Sequence, residues 1–400
     1  MRLAAGKRGK AFDTCPPIRQ HQALETTWQV DITMLKVFLG DVIPGMTIGQ
    51  SIYSRDNKFL LTAGTTLTAK HVKSLNKWGI PAIYIDLGFL GDKSVKPMLS
   101  PETRQKTVRE LESFLTHSEF ASHLQHTREM EQSVATVVDE LLGTQCSLVN
   151  LAEIRRYDDY LLSHSLDVCV LSVVTAVNLG WSKEKIVQLG LAALMHDVGK
   201  VRVPRAILMK PGPLDPEEFS QVQKHPLYAL DILKEEPAIM EAASQHHENM
   251  DGSGYPYGLQ GGAISEFARI IAIADLFDAM TTDRVYRRAI PVNEVLELIY
   301  ASGGERFDLQ YVRSFVHSIA AYPVGSVVEL NDESVGIVVE NVPGLPLYPR
   351  VRILQGADRQ PSQRPKEIEL GQHSLSITRL LAPAESFILS QRLNNLPLTT

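Results

Sequence analysis

The chain has 400 residues, 44% of them hydrophobic, and carries a formal net charge of −6. That length suits two or three domains with ample core, and an acidic balance without a long basic run excludes a dedicated nucleic-acid binder. No 18-residue apolar segment and no hydrophobic signal core occur, which predicts a soluble, cytoplasmic protein with no membrane insertion. Cys15, Cys146 and Cys169 are too few and too scattered for a disulfide framework.

Residues 1–33 show no periodicity. They read as a disordered tail, or Met34 is the translational start; both readings stay open. From 35 to 95 short β-rich runs split by turn residues, with a helix starting near Thr68 and a strand over Ala82–Asp86, predict a small α+β accessory domain. Ser100-Pro101-Glu102 is a helix start, with serine as the cap and proline at the first helical position. The charged segment 100–145 is predicted as a helical linker, a helix or helix pair packing on the helical region C-terminal to it. A coiled-coil dimer is the sharper alternative, but the heptad breaks around 117–125.

The most informative segment lies between His164 and Asp275. It holds His164, the pair His196-Asp197, His225, the pair His246-His247, and Asp275; no other histidine occurs between residues 127 and 316. Imidazole and carboxylate together suit first-row metals. Two apolar runs, Ile186–Met195 and Ile270–Ala274, lead directly into His196-Asp197 and into Asp275. Burying a carboxylate there is costly unless a cation compensates it, which points to a metal centre inside a helix bundle. A lone helical histidine is more often surface or satisfied core; the adjacent pairs are what weigh against that reading.

Around these residues the chain reads His196-Asp197-Val198-Gly199-Lys200, then His246-His247-Glu248-Asn249-Met250-Asp251-Gly252-Ser253-Gly254-Tyr255-Pro256. Next comes Ile273-Ala274-Asp275-Leu276-Phe277-Asp278-Ala279, continuing to Arg284-Val285-Tyr286-Arg287. These blocks, in this order, strongly resemble the HD-GYP domain, a branch of the HD phosphohydrolases that cleaves the bacterial second messenger cyclic di-GMP. The resemblance covers roughly residues 146–320 and implies a helical catalytic domain over 146–322. It implies that His164, His196, Asp197, His225, His246, His247 and Asp275 ligate two divalent metals, iron or manganese, with Asp197 bridging. A bridging water or hydroxide would then attack the phosphodiester, giving linear pGpG and/or GMP.

The resemblance further implies that Lys200 holds a scissile phosphate oxygen, that Tyr255 contacts the guanine nucleotide, and that Arg284 and Arg287 grip the second phosphate or a guanine edge. Asp158 is a candidate substrate-side group. Some family members carry a glutamate four residues before the first histidine, recruiting a third metal; here that place is Tyr160, which favours two. Lys210 is a further local cation for an anionic dinucleotide. The substrate implied is cyclic di-GMP, with a homodimer or a signalling-protein partner left open. Rival readings are another HD phosphohydrolase acting on a related nucleotide, and a catalytically silent cyclic di-GMP receptor. The 35–95 module looks like the N-terminal domain commonly joined to HD-GYP domains.

After Tyr322-Pro323 the period shortens to two, with Gly, Pro and Asn-Asp turns, so 323–382 reads as a small β-rich C-terminal subdomain and 383–400 as a loose tail. The fold class expected is mainly α: a helical-bundle catalytic domain between a small α+β module and a small β-rich one.

Overall fold

The computed structural model describes residues 34–49, 51–53, 59–80, 82–87, 98–116, 120–143, 160–210, 212–282, 289–342 and 344–394. The expected tail over 1–33, and Asp158, Arg284 and Arg287, lie outside the described residues. The architecture is mainly helical. No helix among the described residues is long and apolar enough to cross a membrane.

The N-terminal module contains β1 (Met34–Phe38), β2 (Thr47–Ile48), β3 (Ile52–Tyr53), β4 (Phe59–Leu61), α1 (Ala69–Lys77) and β5 (Ala82–Asp86). β5 lies between β1 and β2, antiparallel to both, while β3 and β4 form a separate ribbon. α1 begins where its sequence provides a reciprocal cap: Thr68 Oγ1 accepts from His71 N, and the Thr68 amide donates to His71 Nδ1. Val37, Ile48, Leu67, Leu75 and Ile85 fill the small core.

α2 (Pro101–Thr116) and α3 (Phe120–Gly143) form a helical pair. Ser100 caps α2 as its sequence predicts, accepting from Thr103 N at 3.2 Å. The Glu140 carboxylate near the end of α3 accepts from Ser100 N at 2.7 Å and Ser100 Oγ at 2.9 Å, tying the start of one helix to the end of the other. The pair is no free linker: Leu111, Phe114, Met130, Val134, Val137 and Val138 belong to the same core as the helices that follow. Their apolar faces are spent on the bundle, which removes the basis for the coiled-coil alternative.

The bundle itself comprises α4 (Tyr160–Asn178), α5 (Lys183–Met195), α6 (Arg205–Leu208), α7 (Pro216–Val222), α8 (His225–Ile232), α9 (Pro237–Gln245), α10 (Glu266–Thr281), α11 (Val292–Ala301) and α12 (Leu309–Ser318). Ser182, Asp215 and Asp308 cap α5, α7 and α12 through their side chains. α4 and α10 are buried nearly all round and run through the centre.

Five antiparallel strands follow: β6 (Val327–Leu330), β7 (Val335–Glu340), β8 (Arg350–Gln355), β9 (Pro361–Glu369) and β10 (Ile377–Leu380), in the order β10-β6-β7-β8-β9. The period of two decides what this sheet touches. Val328 and Leu330 join the core of the bundle, whereas Val327, on the opposite face, joins the core of the N-terminal module. The expectation of a loose tail over 383–400 is corrected: α13 (Pro383–Asn394) is a helix whose Phe387 and Leu389 are buried in the N-terminal module's core. Its sequence lacks a long apolar run, and only contact with a segment some 300 residues away in the chain gives the helix a face to bury. Phe387→Ala should therefore cost about 3 kcal/mol, the lower end for truncating a buried phenylalanine. Calorimetry should show this as an earlier unfolding transition, and an unchanged thermogram would place α13 outside the core.

Candidate metal centre

Three helices end at the same point. α5 stops at Met195, and His196, its C-cap residue, donates from Nδ1 to Ala193 O at 2.7 Å. α9 stops at Gln245, and its C-cap residue His246 donates from Nδ1 to Ala243 O at 2.8 Å. His225 opens α8 and donates from Nδ1 to Val222 O, at the last residue of α7, at 2.7 Å. Each uses a carbonyl that the helix leaves without an internal partner. With the proton on Nδ1, each ring presents the Nε2 lone pair inward.

Those lone pairs converge on Asp197. His225 Nε2 lies 3.3 Å from Asp197 Oδ1 and 3.3 Å from His246 Nε2. His246 Nε2 lies 3.8 Å from the same Oδ1. On the other carboxylate oxygen, Oδ2, converge His196 Nε2 at 3.4 Å, His164 Nε2 at 3.9 Å and the Lys200 ammonium. Buried His196 Nε2 and Asp197 Oδ1 have no hydrogen-bond partner. Lone pairs facing lone pairs in an apolar interior repel unless a cation lies among them. The negative ends of three helix dipoles reinforce the preference for positive charge.

α4 and α10 close the ring. His164 Nε2 is 3.1 Å from Asp275 Oδ1, and His164 Nδ1 donates to Asp278 Oδ2 at 2.7 Å. Asp275 and Asp278 stand three apart on α10 and so face the same way. A carboxylate on the far nitrogen of a ligating imidazole fixes the ring and raises its basicity. Donor atoms fall into three groups, each within 4.8 Å: His164/His196/Asp275, His196/Asp197/His246 and His225/His246/His247.

Charge states agree with a ligand set. Burial would raise the Asp197 carboxyl, but Lys200 and His196 hold it well below the ordinary range; His164 does the same for Asp275. Burial, with neighbouring imidazoles, drives His246 well down, and burial drives His247 down to about 3. Burial opposes charge on His164 too, yet Asp275 and Asp278 lift it to about 10. A divalent cation would compete with that proton for Nε2. The residues thus fit a divalent metal: ionised Asp197 and Asp275, His246 and His247 held neutral, and unpartnered inward atoms.

Two close approaches position the ring. A Cβ on Gly199 would lie 1.9 Å from the His225 carbonyl oxygen, so glycine is what lets the turn after Asp197 abut α8. A Cβ on Gly254 would lie 2.4 Å from backbone atoms of Glu248 and Asn249. Glu248, buried, accepts from Tyr257 N at 2.7 Å and Leu259 N at 3.0 Å, folding the Gly-Tyr-Pro loop back onto the histidines. Tyr255 then stacks on His247, ring centroids 4.7 Å apart and planes at 27°.

All seven expected ligands thus come together, with Tyr255 and Lys200 beside them. Lys200 sits on Asp197 itself. Lys210 does not join the site: its ammonium pairs with Glu218 and Asp215 at the start of α7. Sequence reasoning missed Asp278 and Glu248; the i+3 spacing of Asp278 from Asp275 was the available signal for the first.

Residues 117–311 match the family described as HD domain, and 327–387 match a KOW domain associated with HD domain. A protein of Pseudomonas aeruginosa named as a cyclic di-GMP phosphodiesterase is 35% identical over 229 residues, 56% of this chain and 55% of that one. Residues 117–311 of this chain are similar to HD domains. A cyclic di-GMP phosphodiesterase response regulator of Xanthomonas campestris is 32% identical over 236 residues, 57% of this chain and 62% of its own. A 3′3′-cGAMP-specific phosphodiesterase of Vibrio cholerae is 35% identical over 218 residues, 53% of this chain and 50% of its own. The chain spans about half the length of the curated relatives it matches.

Within the HD domain, Gly199→Ala should displace His225 and weaken metal retention by on the order of tenfold, the lower end for disturbing a ligand's support. Metal analysis after gel filtration checks this; full retention in a folded variant would show that α8 can yield without cost.

Proposed function

We propose that this chain is a metal-dependent phosphodiesterase that hydrolyses cyclic di-GMP to linear pGpG and/or GMP. The observation that carries the reading is the ring of inward lone pairs around Asp197, whose two oxygens face different histidine sets. That division suits two metals, iron or manganese, with Asp197 serving both. When bound, such metals lower the pKa of a coordinated water and neutralise phosphodiester oxygens.

The protein's own groups have separable tasks. His164, His196 and Asp275 would hold one metal, and His225, His246 and His247 the other. Lys200, only partly exposed and already within the charge cluster, would turn from Asp197 to a phosphate oxygen when substrate enters. Tyr255, its phenol kept neutral by burial, offers a flat ring beside His247 for a guanine. Arg284 and Arg287 are assigned to the distal phosphate or guanine edge, and Asp158 to the substrate side. The 35% identity with a relative named for 3′3′-cGAMP makes that cyclic dinucleotide the second substrate to try.

Chromatography of products after incubating the metal-loaded chain with either dinucleotide tests the reading. From cyclic di-GMP, appearance of pGpG or GMP is expected, and from 3′3′-cGAMP a linear dinucleotide or GMP with AMP; two intact substrates would sink the reading. The protein should purify with about two metals per chain, and Asp197→Ala should lose both; a variant with full metal and activity would refute the bridging role.

Lys200→Ala should lower kcat by on the order of a hundredfold, as for one donor to a developing oxyanion. Arg287→Ala should mainly raise KM, by roughly tenfold, the value of a charge-assisted hydrogen bond. The reverse pattern would place the scissile bond at the wrong end of the site.

A further inference from the structure

α4 carries His164, and from Leu162 to Ala176 every residue of this helix is buried. A helix with one apolar stripe is oriented by that stripe. One that is buried all round gains similar burial in several rotations, so directional polar contacts must set its angle. At its C-terminal end, Ser314 Oγ donates to Thr175 O at 3.1 Å and Asn178 Nδ2 to Ser318 Oγ at 2.8 Å. Near its N-terminal end, one turn beyond His164, Arg104 Nη2 donates to Asp167 Oδ1 at 2.9 Å, with the side chains 5% and 8% exposed.

Arg104 comes from α2, which ends at Thr116, just before the HD match begins at residue 117. α2 is a firm support, because its first turn is tied to Glu140 of α3. Removing two charges from water is costly, so an ion pair kept inside an apolar bundle returns orientation more than stability. The fork of a guanidinium is also directional in a way that apolar contacts are not.

We propose that Arg104 is a positioning residue for the metal centre: through its buried ion pair with Asp167 it sets the rotation of α4 and aims His164 Nε2 towards Asp275 and Asp197. The helix that precedes the HD match thereby becomes part of the machinery. The inference rests on the metal-centre reading and adds a residue that lies outside the ligand motifs.

The test uses the full chain and reads manganese affinity by chelator competition, not hydrolysis. Arg104→Met, Arg104→Lys and the double variant Arg104→Met/Asp167→Leu are compared with wild type. Arg352→Met, which breaks only a pair with Glu367 in the C-terminal sheet, is the control. Removing the guanidinium should weaken manganese binding by on the order of tenfold, the range for losing a ligand's outer support. Arg104→Lys should be weakened less, and Arg352→Met not at all.

The double variant replaces the pair with apolar groups and should recover the wild-type melting temperature without recovering metal affinity, an outcome that a purely structural pair would not give. It also decides the matter if Arg104→Met fails to fold. Wild-type affinity in any folded variant lacking the guanidinium overturns the inference alone. A wild-type chain that binds no manganese overturns the metal-centre reading and this inference with it.

Discussion

The structure depends on one electrostatic constraint: imidazole lone pairs made to face one another and a buried carboxylate. The constraint originates at helix ends. Three C-terminal carbonyls need donors, histidines supply them through Nδ1, and each ring is then obliged to present Nε2 to the interior. His225 and His246 accordingly stand with their Nε2 atoms 3.3 Å apart. Such an arrangement is unfavourable in an apolar medium without positive charge, and Lys200 supplies only one cation at one side of Asp197.

The surrounding fold can be understood as what holds that constraint in place. Seven candidate donors that are to hold metal tolerate little play, because a ligand displaced by an ångström would lose most of its bond. Gly199 permits the contact between the turn after Asp197 and α8, and Asp278 fixes the His164 ring. Glu248 folds the Gly-Tyr-Pro loop across the cluster by accepting two backbone amides. These are inflexible contacts between backbone and buried polar groups, set in helices whose remaining faces are aliphatic. The rigid apolar frame resists the repulsion at its centre.

The accessory parts are bound into this frame rather than appended to it. α2 and α3 share the core of the bundle. The C-terminal sheet turns one face to the bundle and the other to the N-terminal module, where α13 completes a second core. The first and last described elements therefore stabilise each other, and the HD domain is held between segments from both ends of the chain.

The sequence by itself pointed to the residues that cluster as candidate ligands and determined the helical class. Adjacent His-Asp and His-His pairs ending apolar runs have few low-cost explanations, so His196, Asp197, His246 and His247 were legible from residue types alone. Helix starts at Thr68 and Ser100 were legible too, because capping is chemistry between near neighbours. Only the tertiary structure decided the partners of each side chain. Nothing local tells that Lys200 rests on Asp197, that Lys210 is spent on Glu218, or that Arg104 meets Asp167 from 63 residues away. Nor does the stretch 383–394 announce itself as a core helix, since its apolar face exists only relative to a module at the other end of the chain. Periodicity and capping act over a few residues and can be read along the chain. Burial and charge pairing depend on which surfaces meet, and folding alone settles that.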